Sequence, residues 1–213
     1  MTDPKNRPED EMNEAIEVRV AKRDEVRQVA ASLATAFYDD PVISFAYPSD
    51  TTRLRRLEVF FATQARALWK QREIHIADDS SSAAIWARPG EWKMSTLGLL
   101  RGIVPATLRT RPKLAALRGY LGTDRLHPDE PHWYLEALGT VPAQQGKGLG
   151  AQVLAPVLRQ CDEEGVPVWT WSSNENNLAF YHRQGFEVLD KLEFAPGGPP
   201  IFPIRRDPRP LEL

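Results

Sequence analysis

The first chemistry legible in the sequence is anion binding, in Val141-Pro142-Ala143-Gln144-Gln145-Gly146-Lys147-Gly148-Leu149-Gly150. This stretch lies between a predicted strand over residues 133–141 and a predicted helix over 148–164. Glycines alternate at Gly146, Gly148 and Gly150, where the strand hands over to the helix. A helix start exposes backbone N–H groups, and missing side chains let a bulky anion reach the main chain. The helix dipole adds about 0.3–1 kcal/mol toward holding negative charge there. The stretch therefore reads as a pyrophosphate cradle, against the plainer alternative of a glycine-rich turn. A dinucleotide fingerprint is excluded because the third glycine comes one residue early. A P-loop is excluded because Gly148, not Ser or Thr, follows Lys147.

A second stretch runs from Ser173-Asn174-Glu175-Asn176-Asn177 through Phe180-Tyr181 to Gly185-Phe186. Asn174 stands where a strand passes into a helix, a natural N-cap. Tyr181 lies seven residues on, two helical turns along the same face. The alternative is a capped helix whose Phe180 and Tyr181 only pack in the core.

Gln145, Gly148 and Gly150 spell Gln-x-x-Gly-x-Gly, which resembles the acyl-CoA loop of the GNAT superfamily of N-acetyltransferases. The second stretch resembles the Asn-x-x-Asn/Ala…Phe-Tyr-x-x-x-Gly-Phe motif that follows that loop in GNAT enzymes. The resemblance covers about residues 16–205 and is strongest over 133–188. Pro131-His132-Trp133-Tyr134-Leu135, the cradle, and Ala36-Phe37 with Asp40-Pro41 resemble the puromycin N-acetyltransferase-like branch. Puromycin itself is not implied.

The resemblance implies the GNAT fold, acetyl-CoA (coenzyme A) as cofactor, and acetyl transfer to an amine. By motif position, Leu138, Gly139 and Thr140 would take the pantetheine arm on a splayed central strand. The amides of Gly146, Lys147, Gly148, Leu149, Gly150 and Ala151 would hold the pyrophosphate, with Gln145 fixing the turn. Asn174 and Asn177 would contact the cofactor, and Tyr181 would stand near the thioester sulfur.

Such a transfer needs a neutral amine, a stabilised oxyanion and a proton for the leaving thiolate. Tyr181, with an ordinary pKa of about 10, can donate that proton. A central-strand N–H near Leu138 can polarise the thioester oxygen. Strand alternation places Tyr134, Glu136 and Leu138 on one face and Leu135, Ala137 and Gly139 on the other. Partial burial can raise a carboxylate's pKa toward the range a base needs, which makes Glu136 a candidate base. Its alternative is an ion pair with an arginine of the helical insert, and His132 is a second candidate base. Asp39 and Asp40 could attract a cationic amine, since carboxylates at a helix C-terminus are otherwise disfavoured; Asp40 before Pro41 could equally form a turn. Trp86 and Trp92 could line an acceptor pocket, and Trp86 could instead belong to the core.

These residues need elements to position them. The 213 residues suit one domain with a real core, and 42% hydrophobic with 26% charged residues is ordinary for a soluble globule. A net charge near −2 gives no general pull toward nucleic acid or membrane. No apolar run reaches the roughly 18–20 residues of a span, and the polar start carries no secretory pattern. The single Cys161 cannot form an internal disulfide, and the four histidines lack metal-ligand spacing, so no metal site is expected. A reduced, cytoplasmic setting is the default.

Residues 1–14 read as a flexible tail, 15–206 as one acetyltransferase domain and 207–213 as a Pro-rich tail. Strands are predicted over 16–20, 74–77, 83–87, 133–141, 168–173, 186–194 and 201–205. Helices are predicted over 23–37, 51–70, 148–164 and 175–184, with an insert at 94–100 and 107–121. The fold class is α/β (α+β): a central mixed, largely antiparallel sheet flanked by helices, with the helical insert between the third and fourth strands. The basic residues from Arg88 to Arg125 read as a solvated helical face, or as a lid or positive rim at the site.

The function expected is an N-acetyltransferase in which a small-molecule primary amine attacks the thioester directly, in a monomer or homodimer. An open groove beside Glu136 would instead favour a protein lysine or N-terminal acetyltransferase. Loss of Tyr181 from the site would favour a non-catalytic acyl-CoA sensor.

Overall fold

The computed structural model describes residues 17–70, 72–77, 79–93, 100–101 and 104–210. The expected N-terminal tail, the first residue of the 16–20 strand, Asp78 and residues 94–99 of the helix expected over 94–100 lie outside the described residues.

Strand β1 (Val18–Val20) pairs antiparallel with β2 (Arg72–Ala77), and β2 with β3 (Ser82–Ala87). Between β1 and β2 come α1 (Val26–Ala36), α2 (Pro41–Ala46) and α3 (Asp50–Leu68). Helix α1 buries Val26, Val29, Ala30, Leu33 and Ala34, the stripe its 3.6-residue period sets out. Helix α2 was not foreseen. The residues expected only to end α1 also start a new helix: Asp40 Oδ1 accepts from Ile43 N at 3.0 Å. Pro41 takes the first helical position, where its missing N–H costs nothing. Asp40 thus sits at the favourable end of α2, which reverses the dipole expectation.

The insert carries α4 (Val104–Thr110) and α5 (Leu114–Gly122), so the single helix expected over 107–121 is broken around Pro112. Next come β4 (Trp133–Thr140), α6 (Leu149–Glu164), β5 (Val168–Ser172) and α7 (Leu178–Arg183). The strand expected over 186–194 is two short ones, β6 (Glu187–Val188) and β7 (Leu192–Glu193). Asp190 turns the chain between them by accepting from Lys191 N at 2.7 Å. Both pair with β8 (Pro200–Arg206). Of the expected C-terminal tail, residues 207–210 are described, and Arg209 N donates to Asp162 Oδ1 at 2.7 Å.

The sheet order is β1-β2-β3-β4-β5-β8-β6, with β7 on β8, and its pairings are antiparallel except β4–β5. This is the mixed, largely antiparallel sheet expected, with the helical insert between β3 and β4. Core from α1 and α3 packs one face; core from α6 packs the other.

Two irregularities of β4 shape the site. First, β4 and β5 pair only at Trp133↔Val168 and Tyr134↔Trp169, then diverge. Thr170 Oγ1 donates to Leu135 O at 2.7 Å where they part. Beyond that point the β4 backbone facing β5 is open, as a ligand-binding edge requires. Second, Ile85 pairs with Ala137 and Trp86 with Leu135, which leaves Glu136 as an extra residue in a β-bulge. Leu135 and Leu138 pack with the α6-side core and Ala137 with the α1-side core. The bulge therefore corrects the strict alternation expected from sequence: Glu136 and Ala137 share a face, and Leu138 lies opposite.

Gly139 brings β4 against α1, where an added Cβ would stand 2.8 Å from Ala36 Cβ and 3.1 Å from Leu33 Cδ2. Overpacking of this kind costs about 1–3 kcal/mol. Gly139→Ala should lower the urea midpoint accordingly with an unchanged m-value; an unaltered midpoint would show that α1 gives way freely.

Candidate active site

The splay of β4 and β5 opens a groove of about 670 Å³ between β4, the C-terminal end of α1, the start of α6 and α7. Its walls include Leu138, Gly139, Thr140, Gln145, Gly146, Gly148, Leu149, Gly150, Ala151, Asn174, Asn177 and Tyr181. These are the residues the two motifs singled out, gathered from three segments. Lys147 is the exception: its ammonium turns to Gln144 Oε1 at 2.6 Å and does not line the groove.

The cradle is held by local chemistry. Gly146 and Gly148 both have φ of 80°, a left-handed conformation costly to other L-residues. Gly148 caps α6 and its carbonyl accepts from Ala151 N at 3.0 Å and Gln152 N at 3.1 Å, so among the described residues the amides of Leu149 and Gly150 are the first-turn donors left without an intrahelical acceptor. Gln145 Nε2 donates to Thr140 O at 3.0 Å and ties the turn to β4. Asn174 Oδ1 accepts from Asn176 N at 3.0 Å, the cap expected of it.

A second cavity, of about 160 Å³, joins the groove and is walled by α2, α3, the insert and the diverging strands. Most of its wall is apolar and aromatic: Phe37, Tyr47, Phe60, Phe61, Tyr120, Trp171 and Phe194. Thr107, Pro112, Ala116, Leu117 and Tyr120 come from the insert, which thus covers the site with its apolar face. Arg109, Arg111, Lys113 and Arg118 stay exposed on the outside. The basic residues of the insert thus lie on its solvated face, away from the cavity wall.

Asp40, Leu138, Asn177, Phe37 and Tyr181 line both spaces and mark their junction. Tyr181 is buried, with rings of Phe180 and Phe186 at 5.3 and 5.4 Å. Burial, then the nearby Asp40 charge, raises its pKa, so the phenol stays protonated across the physiological range. Among the described residues its hydroxyl has no hydrogen-bond partner. Burial also raises the pKa of Asp40, opposed by hydrogen bonds from Ser173 Oγ and from the amides that start α2. Sequence reasoning had placed Asp40 as a cation attractor or turn former and had missed Ser173.

Glu136 opens onto this second cavity, and its Oε2 accepts from Arg72 Nε at 2.5 Å. The arginine expected from the insert is instead the first residue of β2, which also donates to Glu91 O and Trp92 O.

His132, the second base candidate, faces away from both spaces. Its Nε2 meets His127 Nδ1 at 2.9 Å and its Nδ1 meets Glu130 O at 2.8 Å. Trp92 stacks on His127 with ring centroids 3.6 Å apart, outside the second cavity, and Trp86 is buried core. Burial, followed by the charges of His132 and Lys93, pushes the His127 pKa down from 6.5 to about 3, and burial lowers His132 too. The unfolded chain therefore binds more protons between those values, and stability held above pH 6.5 drains away as pH falls toward 3. Chemical denaturation across that window should show a shallower acid loss for His127→Gln than for the native chain. Parallel curves would remove His127 from the acid response.

Among the described residues no cluster of His, Cys, Asp or Glu is placed to hold a metal, and no helix is long and apolar enough to cross a membrane.

The sequence profile of the acetyltransferase (GNAT) family matches residues 106–186, which contain β4, the cradle, α6, β5 and Tyr181. An uncharacterised N-acetyltransferase of Schizosaccharomyces pombe is 27% identical, over 79% of this chain and 72% of its own. The profile match and this relative support a GNAT superfamily acetyltransferase. The fold of this chain matches a Corynebacterium glutamicum protein described as histone acetyltransferase HPA2 and related acetyltransferase. That match has a TM-score of 0.66 and 20% identity, over 93% of this chain and 99% of the other. Arylalkylamine N-acetyltransferase 2 of Aedes aegypti matches with a TM-score of 0.57 and 10% identity, over 92% and 100% of the two chains. At those identities the likeness is one of fold. GNAT acetyltransferases use acetyl-CoA and an acceptor substrate.

Proposed function

We propose that this GNAT protein transfers an acetyl group from acetyl-CoA to the primary amine of a small, largely apolar molecule. The observation that carries this reading is the covered aromatic cavity meeting the groove at Asp40 and Tyr181. A protein substrate would call for an open channel; here residues of the insert wall the space beside Glu136.

The groove fits the cofactor. Gly146 and Gly148 leave open space where a side chain would meet the phosphates, and the α6 amides supply donors. The open edge of β4 at Leu138, Gly139 and Thr140 would hydrogen-bond the pantetheine arm, with Asn174 and Asn177 on the facing wall. Lys147 would contribute through its backbone amide. Bound there, acetyl-CoA supplies an activated thioester.

The chain's own groups then divide the work. A β4 amide near Leu138 donates to the negative charge that develops on the acyl oxygen. Tyr181 donates a proton to the thiolate. Two carboxylates face the acceptor cavity, Asp40 and Glu136. We assign removal of the amine proton to Asp40, because it alone of the two also lines the groove beside Tyr181. Glu136, tied to Arg72, shapes the far wall and is assigned no proton transfer. A proton arriving on Asp40 neutralises the charge that opposes Tyr181 ionisation, which couples the two transfers.

Thiol release measured across a panel of hydrophobic amines, polyamines and lysine peptides tests this directly. Turnover of hydrophobic amines at least tenfold above the peptides is expected. Preference for peptides would favour a protein acetyltransferase, and acetyl-CoA binding without release for any amine would favour a sensor.

A further inference from the structure

Gln64 on α3 is buried, at 7% exposure, and borders the acceptor cavity. Its Nε2 makes no hydrogen bond. The Tyr120 hydroxyl from the insert lies close to the Gln64 amide without completing a hydrogen bond among the described residues, and both line the cavity with Glu136, which makes one polar corner in an apolar cavity. Buried amide donors in folded proteins are nearly always paired, and a leucine would fill the same volume without a donor. A donor left without a partner on a cavity wall is one that a ligand can satisfy.

We propose that Gln64 is a specificity-determining residue, whose Nε2 donates to a neutral oxygen that the acceptor molecule carries away from its amine. This rests on the acetyl-transfer reading above and names the acceptor class more closely. The amine end belongs at Asp40 and Tyr181, and the aromatic walls take an apolar body. The polar corner then meets an ether, carbonyl or hydroxyl oxygen. A pocket built to hydrogen-bond a substrate discriminates strongly against an analogue lacking that group, since its own donor is left unpaired.

The test uses the full chain with CoA bound and matched arylalkylamine pairs, such as 4-methoxyphenethylamine against 4-ethylphenethylamine and 4-acetyl- against 4-isopropylphenethylamine. Calorimetry gives affinity, and thiol release with acetyl-CoA gives kcat and KM separately. The native chain should bind the oxygen-bearing member about tenfold more tightly, with the difference in KM and little in kcat. Gln64→Leu should erase that preference while still melting in one cooperative transition. Equal affinities within pairs, no binding of any oxygen-bearing amine, or a preference kept in Gln64→Leu would overturn the proposal. Selective binding lost in Gln64→Leu, but with no thiol release for any amine, would support the donor site and overturn acetyl transfer.

Discussion

Tyr181→Phe should lower kcat about 100-fold while leaving acetyl-CoA affinity and melting temperature unchanged. The hydroxyl makes no hydrogen bond among the described residues, whereas the ring packs on Phe180 and Phe186. Its removal therefore takes away a proton and little else. Positioned proton transfer contributes about 10²–10⁴-fold, and a 100-fold loss corresponds to about 2.7 kcal/mol of barrier. Loss in KM alone would make Tyr181 a wall of the pocket. The partner variant Asp40→Asn keeps the α2 cap, because an Asn side-chain oxygen can still accept from Ile43 N. It should lose rate comparably. The native chain should lose kcat/KM as pH falls through the raised Asp40 pKa, and the variant should lack that limb. A limb that persists in Asp40→Asn would move the base elsewhere, with Glu136 next to be tested.

Gly148→Asp should weaken acetyl-CoA binding at least 100-fold. The residue holds φ of 80°, so any side chain there meets backbone strain of about 1–2 kcal/mol, and Asp is among the residues that bear it best. Beyond strain, a carboxylate would sit at the start of α6 and oppose the anion the helix end attracts. Gly148→Asn carries the same backbone cost without the charge and should fall between the two. Tryptophan fluorescence on titration with acetyl-CoA would rank the three. If Asn and Asp weaken binding equally, strain and bulk decide; if neither does, the pyrophosphate does not lie on this turn.

The cradle was legible in the sequence because its causes are local. Three alternating glycines, a preceding strand and a following helix need no distant partner, and Gly146, Gly148 and Gly150 fall in place on the groove. The same holds for the Asn174 cap and for Gly185, which ends α7 with φ of 90°. What the sequence concealed depends on which strands and helices meet. The bulge at Glu136 arises from pairing with β3, more than fifty residues away, and it moves Ala137 and Leu138 to faces that alternation does not predict. Asp40-Pro41 carried the signature of a helix start, but it followed directly on another helix and read as a stop. Its contact with Ser173 joins segments 133 positions apart. The unpaired Gln64 amide is a property of the assembled cavity and has no trace in the local pattern. The acceptor side was thus the less readable half, since α2, α3, the insert and β4 all contribute to its wall.

The most direct test of the account is calorimetric titration of the intact chain with acetyl-CoA, followed in the same cell by a hydrophobic primary amine and detection of free thiol. One-to-one binding with thiol release that depends on the amine is the predicted result. No binding of acetyl-CoA would contradict the account at its root, because the groove, the cradle and the role of Tyr181 all rest on it.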